Sequence, residues 1–386
     1  MEKIYETIVE GKFLDRPNRF VCHAEVLGEK VLCHMPNPGR MRELLFPGVK
    51  LYLTPNRKGL RTAYRVIGCE KGNHVFYLDT TRANDVAADL VSHGRIPGWE
   101  NYFLAGREVT MGDSRFDLLL GDAETGETFP VEVKSCSLAG KKGAMFPDAP
   151  TERGRKHLTH LVDMGKNGEH AGLLVLVHYG DAQWFLPDYH TDLPFAEEFR
   201  RGMDVLDWKA CVIPWTKEFL MPERVRLIPS SKEVLDREMG NAGDYMIVLS
   251  LDEDRTIAVG SLGDIQFPQG YYVYVGSARK NLDQRIAHHK ALRKGRHWHM
   301  DYFRGACRFA GAIPIRTADD LEHRLAGAVE KIAPWSIPGF GCTDCRCSSH
   351  LFGFHENPMH LPAFLQLEEQ FEIDRLDGLV DSWNCF

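Results

Sequence analysis

The sequence predicts a multidomain α+β protein with a small β-barrel, a mixed-sheet α/β core and a further C-terminal α/β domain. At 386 residues the chain exceeds a single typical core. Short β-rich runs broken by Gly, Asn and Pro fill residues 12–80, and helical and strand patterns alternate from residue 83 onwards. These patterns predict domains at residues 1–82, 83–228 and 241–370, with a linker at 229–240 and a C-terminal tail at 371–386.

Composition and charge narrow the class of protein. The chain is 44% hydrophobic and 26% charged, with a formal net charge of −7, which excludes a uniformly basic nucleic-acid coat but not local basic faces. Acidic residues near the N-terminus argue against a signal peptide, and no apolar run has the length of a membrane span. We therefore expect a cytoplasmic protein whose scattered cysteines are reduced core residues.

The N-terminal strand pattern predicts the first domain. About five β-rich runs within residues 12–80, such as "RFVCHAEVLGEKVLCHM" and "VKLYLTPN", suit a small barrel. An OB-like barrel is one candidate. The following segments, "ANDVAADLVSHG", "RFDLLLG", "FPVEVKS", "TERGRKHLTHLVDMGKNG" and "AGLLVLVHY", alternate as helix, strand hairpin, helix and buried strand, which indicates a mixed sheet.

Two acids and a lysine form the first candidate site. Asp117 and Glu132 lie on strands joined by a turn, and two close carboxylates attract Mg²⁺, which would activate a water and neutralise phosphate charge. Glu132 and Lys134 are two residues apart, so their side chains leave the same strand face. The alternative is a strand whose valines are buried and whose Glu132 and Lys134 face water.

A basic helix start follows this hairpin. Thr151 is the expected N-cap, and Arg153, Arg155, Lys156 and His157 crowd the first turns. Cations at a helix N-terminus oppose the helix dipole, so they favour phosphate binding over helix stabilisation. A solvated basic face is the alternative.

Four motifs resemble the SfsA (sugar fermentation stimulation) family. They are "HMPNPGRM", "SRFDLLL", "VEVKSCSLA" and "FPDAPTERGRKHL", and the similarity covers residues 12–225. The resemblance implies an OB-like N-terminal part, a core similar to the PD-(D/E)xK nucleases, and DNA binding in which Arg40 of the first motif takes part. It also implies that Asp117, Glu132 and Lys134 are the catalytic residues, with Mg²⁺ or Mn²⁺ held by the two acids.

The C-terminal segment resembles a second nuclease group. Gly243-x-Tyr245, Tyr274-x-Gly276 and the helix that follows are similar to the GIY-YIG superfamily over residues 240–370. The resemblance implies that Tyr245 and Tyr274 shape a site, Arg285 holds phosphate and Glu322 holds the metal. His289 lies one helical turn after Arg285. The two tyrosines are separated by 28 residues, which predicts an extra hairpin between them; alternatively, both are ordinary core residues.

Positive charge is concentrated after the second tyrosine. Residues 279–297 hold seven lysines and arginines against one acid, a surplus of +6 that indicates a phosphate-facing segment. The predicted nucleic-acid contacts here are Lys280, Lys290, Arg293, Lys294 and Arg296. Trp298 and Tyr302 are candidates for base stacking or, equally, for the core.

The segment "GCTDCRCSSHLF" contains a candidate zinc site. Cys342, Cys345, Cys347 and His350 have zinc-like spacing, although Cys345 and Cys347 are separated by a single residue. A redox or packing role is the alternative.

Together these patterns predict a metal-dependent nuclease with two nuclease-like domains that acts on DNA or RNA. A non-cleaving DNA-binding regulator is the main alternative, and a small-molecule phosphodiesterase is a weaker one because no Gly-rich nucleotide loop is present. The patterns leave open the choice between DNA and RNA, between endo and exo cleavage, and the oligomeric state.

Overall fold

The computed structural model describes residues 3–57, 59–293, 295, 297–343 and 345–380. The chain divides into two compact units. The first runs up to Lys232 and includes the segment that begins at Leu376, and the second is Glu233–Arg375. Among the described residues no helix combines the length and apolarity needed to cross a membrane.

The first unit begins with a closed barrel. Its strands are β1 (Val9–Asn18), β2 (Val21–Val26), β3 (Glu29–His34), β4 (Lys50–Pro55), β5 (Tyr64–Lys71) and β6 (His74–Tyr77). The strand order is β3-β2-β1-β4-β5-β6, and a further parallel pairing of β3 with β5 closes the sheet. The closing pair protects strand edges that would otherwise be free to pair with another chain. The OB-like expectation is thereby confirmed.

A mixed sheet with helices follows the barrel. Its elements are α1 (Ala83–Ser92), β7 (Tyr102–Met111), β8 (Ser114–Asp122), β9 (Thr128–Cys136), β10 (Leu138–Ala139), β11 (Gly143–Phe146), α2 (Glu152–Lys166), β12 (Gly172–Val177), β13 (Trp184–Pro187), α3 (Leu193–Gly202), β14 (Asp207–Val212) and β15 (Arg226–Leu227). The main sheet has the order β15-β14-β12-β9-β8-β7, and β10, β11 and β13 form a smaller sheet. Strand β12 is buried throughout and runs parallel to both neighbours, as its wholly apolar sequence predicts.

The alternation of β8 and β9 determines which side chains reach the candidate site. Leu118, Val131 and Val133 pack with α1 in one apolar core. The residues between them point to the opposite face, where the buried side chains of α2 lie. Polar side chains on that face are therefore covered by a helix instead of facing water.

The predicted linker holds a short helix, α4 (Lys232–Glu238), which begins where the first unit ends. Val234 and Leu235 are buried in it, which explains why this mostly polar segment is ordered. The segment predicted as a linker at 229–240 therefore contains a helix with buried residues.

The second unit is an antiparallel sheet with helices on both faces. Its elements are β16 (Gly243–Leu251), β17 (Arg255–Ala258), β18 (Asp264–Phe267), β19 (Gly270–Ala278), α5 (Leu282–Lys290), α6 (His299–Arg304), β20 (Arg308–Arg316), α7 (Glu322–Ile332), β21 (Trp335–Ser336), β22 (Leu351–Phe354) and α8 (Pro362–Glu372). The sheet order is β20-β16-β19-β22-β21. Strands β17 and β18 form the predicted extra hairpin.

The C-terminal segment is only partly a tail. Helix α8 continues to Glu372, and α9 (Asp377–Val380) belongs to the first unit, where Asp377 accepts a hydrogen bond from Trp184 Nε1 at 2.9 Å. The predicted boundary at 371 therefore falls inside a helix. Residues 381–386 lie outside the described residues.

The prediction of reduced core cysteines is confirmed for six positions. They are Cys22, Cys33, Cys69, Cys136, Cys211 and Cys307, all buried and all free thiols. Cys385 lies outside the described residues.

Candidate functional site

The first site combines the two predicted acids on neighbouring strands. Leu118 on β8 is paired with Val131 on β9, so Asp117 and Glu132 come next in the same antiparallel register. Asp117 Oδ2 accepts the backbone N–H of Val133 at 2.8 Å, and Oδ1 accepts Asn84 Nδ2 at 2.8 Å. These two bonds fix the carboxylate beside Glu132.

Glu132 is buried together with its two partners. One carboxylate oxygen, Oε1, accepts Lys134 Nζ at 2.7 Å and the Nδ1–H of His157 at 2.8 Å. The other oxygen, Oε2, is buried and has no hydrogen-bond partner within the described chain. Glu132 is 4% exposed and Lys134 9%, so the alternative in which both face water is wrong.

Burial also changes the acidity of the site. Burial, with the negative charge of Glu132 as the next contribution, raises the pKa of Asp117 above its ordinary value. Lowering the repulsion between these two carboxylates requires a proton or a cation. The arrangement is therefore one that a divalent ion would stabilise.

These groups line a cavity of about 460 Å³. Its wall includes Asp117, Glu132, Lys134 and His157, together with Asn84, Arg19, Asn37, Gly39, Asp148 and Arg153. A cavity of this size, lined by both acids and cations, has room for a phosphodiester and a hydrated ion.

Helix α2 delivers only part of its basic cluster to the cavity. Thr151 is the N-cap, accepting Gly154 N at 3.1 Å, as predicted. Arg153 and His157 are one turn apart and line the cavity. Lys156 instead donates to the carbonyl of Asp113 at 3.3 Å, and Arg155 is not part of the lining. Sequence reasoning placed His157 against nucleic acid, whereas the structure places it on Glu132.

The barrel contributes a loop that sequence reasoning did not associate with this cavity. Arg16 donates to the carbonyls of Asn37, Gly39 and Arg40, which fixes the "NPGR" loop at the cavity. Gly39 lies so close to Asp148 that a β-carbon would be 2.2 Å from Asp148 Oδ2. Arg40, a predicted nucleic-acid contact, is exposed and is not part of the lining.

The second site lies in the other unit, in a cavity of about 250 Å³. All five predicted residues line it: Tyr245, Tyr274, Arg285, His289 and Glu322. The alternative of core tyrosines is also correct in part, because both rings belong to the apolar core while they border the cavity. Sequence reasoning had treated these two roles as exclusive.

Aromatic and hydrogen-bond contacts arrange this second site. Tyr245 and His289 share a hydrogen bond of 2.8 Å between the hydroxyl and Nε2. Burial raises the pKa of both Tyr245 and Tyr274, so both hydroxyls are protonated at neutral pH. The guanidinium of Arg285 lies 4.5 Å from the ring centre of Trp298, which is 36% exposed. Trp298 is therefore at the surface, beside the cation.

Glu322, the first residue of α7, provides the carboxylate of this site. Ser277 Oγ donates to its Oε2, and His350 Nδ1 lies 3.1 Å from its Oε1. Burial works against the charged form, yet the contacts with His350 and Ser277 lower the pKa of Glu322 below its ordinary value. The side chain is therefore an anion at the cavity wall.

The predicted basic contacts around this cavity are partly visible. Lys280, Lys290 and Arg293 are exposed, as nucleic-acid binding requires. Lys294 and Arg296 lie outside the described residues. Among the predicted zinc ligands, Cys345, Cys347 and His350 come together with His323, and Cys342 is not part of that group.

Comparisons with known proteins match three separate segments of the chain. Residues 14–78 match the SfsA N-terminal OB domain, residues 81–210 match the sugar fermentation stimulation protein RE domain, and residues 244–373 match a domain of unknown function, DUF123. The chain is 36% identical over 217 residues to the sugar fermentation stimulation protein homolog of Clostridium tetani, covering 54% of this chain and 93% of that protein. The homolog from Methanothermobacter thermautotrophicus is 35% identical over 227 residues, covering 58% and 92%.

One solved structure has a fold similar to that of the first unit. The structure of Pyrococcus furiosus SfsA in complex with Ca²⁺ matches with a TM-score of 0.54 and 24% identity, covering 60% of this chain and all of that one. Together with the relatives, it supports one conclusion about descent. The chain belongs to the SfsA family and carries a DUF123 domain after its SfsA part.

Proposed function

We propose that this protein binds DNA and is a metal-dependent nuclease that hydrolyses phosphodiester bonds of DNA or RNA. The observation that carries the proposal is the buried oxygen Oε2 of Glu132, which has no partner within the described chain while Asp117 lies beside it. An unpartnered buried polar atom costs about 1–3 kcal/mol, and a bound cation would remove that cost.

Asp117 and Glu132 would hold Mg²⁺ or Mn²⁺, because both ions prefer carboxylate oxygens. When bound, the ion supplies an activated water and neutralises charge on the scissile phosphate. The Ca²⁺ complex of the Pyrococcus furiosus relative supports a divalent ion in this family.

The remaining residues orient the acids and bind phosphate. Lys134 and His157 hold Oε1 of Glu132, so Oε2 would be the oxygen that binds the ion. Asn84 keeps Asp117 in place. Arg153 and Arg19 stand on the cavity wall as cations for the flanking phosphates.

We further propose that the DUF123 domain is a GIY-YIG-like nuclease. Arg285 would hold the phosphate, Glu322 would hold a single metal ion, and the Tyr245–His289 hydrogen bond would align the attacking water. The support is that all of these side chains, with Tyr274, border one cavity. Exposed basic residues next to it would track the nucleic-acid backbone.

A cleavage assay with matched variants tests both sites. Labelled single- and double-stranded DNA and RNA are incubated with Mg²⁺ or Mn²⁺ and with wild type, Glu132→Gln, Glu322→Gln or the double variant. Glu127→Gln, which changes an exposed carboxylate on the turn before β9, is the control. We expect each site variant to lose about 10²–10⁴-fold of its own site's activity, with the control unchanged.

The same assay separates the alternative of a non-cleaving DNA-binding regulator. If wild-type protein cuts no substrate with either ion but retards DNA in a gel, the regulator interpretation replaces the nuclease proposal. If the protein cuts and both variants cut equally well, the protein is a nuclease and our site residues are wrong.

A further inference from the structure

A cluster of cysteine and histidine side chains lies outside the two proposed nuclease sites. Cys345, Cys347 and His350 lie on the loop before β22, and His323 is the second residue of α7. Their four ligand atoms all lie within 4.8 Å of one another. We propose that these four residues bind one Zn²⁺ ion.

Two of the distances between ligand atoms fit a tetrahedral ion. With Zn–S near 2.3 Å and Zn–N near 2.0–2.1 Å, a tetrahedral site has S···N edges of about 3.5 Å. Cys345 Sγ lies 3.5 Å from His350 Nε2, and Cys347 Sγ lies 3.4 Å from His323 Nδ1. Two independent edges therefore have the length that zinc requires.

The donor set selects the kind of metal. Two thiolates and two imidazoles are soft and borderline ligands that suit Zn²⁺, whereas Mg²⁺ and Ca²⁺ require oxygen. Four protein ligands leave no open position, which is the pattern of a structural zinc site. This ion is therefore distinct from the Mg²⁺ or Mn²⁺ proposed at Glu322.

The structure replaces one member of the set expected from spacing. The thiol of Cys342 donates to the carbonyl of Phe340 at 3.4 Å and is not in the cluster. Helix α7 supplies His323 instead, 24 positions before Cys347. Cys345 and Cys347 are only two residues apart, so a loop this tight is poorly suited to provide all four ligands. Because His323 comes from a helix, the loop provides only three of them.

The zinc site adjoins the carboxylate of the second cavity. His350 has Nε2 in the cluster and Nδ1 3.1 Å from Glu322 Oε1, which is the carboxylate–histidine–metal arrangement common around zinc. Glu322 is also the residue before His323. The ion thus ties the loop to the start of α7 and positions Glu322. The existence of the site does not depend on whether the domain cleaves nucleic acid.

Zinc content of the full-length protein tests the proposal. Protein produced in zinc-supplemented medium is analysed by elemental mass spectrometry, and we expect about one zinc per chain. Cys345→Ser and Cys347→Ser should reduce this content at least about tenfold, since each removes a thiolate ligand. Cys342→Ser is the matched control from the same loop and should retain the wild-type content.

Two further measurements keep the test valid if a cysteine variant fails to fold. Co²⁺-substituted wild type should show thiolate-to-metal charge transfer and the intense visible bands of a tetrahedral site. His323→Gln changes an exposed ligand and should weaken zinc binding at least about tenfold in competition with a chromophoric chelator.

Four results would overturn the proposal. The first is wild-type protein that binds no zinc after reconstitution, and the second is isolation of Cys345 and Cys347 as a disulfide without metal. The third is a loss of zinc in Cys342→Ser as large as in Cys345→Ser. The fourth is wild-type zinc affinity in His323→Gln.

Discussion

Replacing Glu132 by glutamine removes one negative charge from the first site and keeps the shape of the side chain. In the wild type, Oε1 accepts two charge-assisted hydrogen bonds, from Lys134 and His157. Such bonds contribute about 1.5–3 kcal/mol each, against about 0.5–1.5 kcal/mol for neutral ones. The variant weakens both bonds but keeps an oxygen acceptor and removes the repulsion with Asp117, so we expect metal-free protein to show a net loss of about 2 kcal/mol of unfolding free energy.

The decisive quantity is the change in unfolding temperature, Tm, when metal is added. An ion that binds only the folded protein adds about 2.7 kcal/mol at 100 times its Kd. For a unit of this size, each kcal/mol moves the Tm by about 2–4 °C. We therefore expect Mn²⁺ to raise the wild-type transition by about 5–10 °C. Glu132→Gln should lose most of that gain and start about 4–8 °C lower without metal.

Differential scanning calorimetry of the full chain, with and without Mn²⁺, measures both effects. The two units can unfold separately, so the transition is assigned by its response to Glu132→Gln. Glu127→Gln is again the control. If the variant gains as much stability from Mn²⁺ as the wild type, Glu132 does not bind the ion. If Mn²⁺ stabilises neither protein, Glu132 is a structural ion-pair partner only.

Three further predictions concern other parts of the chain. Gly39→Ala places a methyl group against Asp148 and should lower the free energy of unfolding by about 1–3 kcal/mol in urea. Acidification from pH 7.5 to 4.5 should cost the wild type about 2–3 kcal/mol more than His178→Gln, because burial lowers the pKa of His178 from 6.5 to about 3. Tyr245→Phe should cost about 0.5–1.5 kcal/mol and slow cleavage at the second site, since it removes the hydrogen bond to His289.

The sign of the pH effect follows from the direction of the shift. The folded state keeps His178 neutral, so its contribution is complete above pH 6.5 and is lost as the pH falls towards about 3. Trp215 Nε1 donates to Nδ1 at 2.9 Å, which requires the neutral ring. Equal pH slopes for wild type and His178→Gln would contradict the prediction, and His93→Gln at an exposed site serves as the control.

Different outcomes refute the other two predictions. Unchanged stability of Gly39→Ala would mean that the loop moves away from Asp148 without cost. For Tyr245→Phe, an unchanged rate at the second site together with lower stability would assign the hydroxyl a packing role only.

The sequence by itself determined the local features of the first site. Period-two alternation placed Glu132 and Lys134 on one strand face, and the N-cap at Thr151 marked the start of α2. These features depend on neighbours within a few residues, and so the chain order is enough to predict them. The motifs also identified the SfsA family, which the relatives confirm.

Only the tertiary structure decided which distant residues complete each site. Asn84 reaches Asp117 across 33 positions, and Arg16 holds the loop at Gly39 across 23. Local patterns cannot show such contacts, because they depend on how separate elements pack. The face of α2 likewise decided that His157 meets Glu132.

The C-terminal domain gives the clearest contrast between the two levels. The spacing of Cys345, Cys347 and His350 indicated a metal site, yet spacing alone added Cys342 as the fourth member. The structure brings in His323, because α7 packs its first turn against the loop. The sequence identifies candidate ligands, but how the helices and loops pack decides which of them surround one point in space.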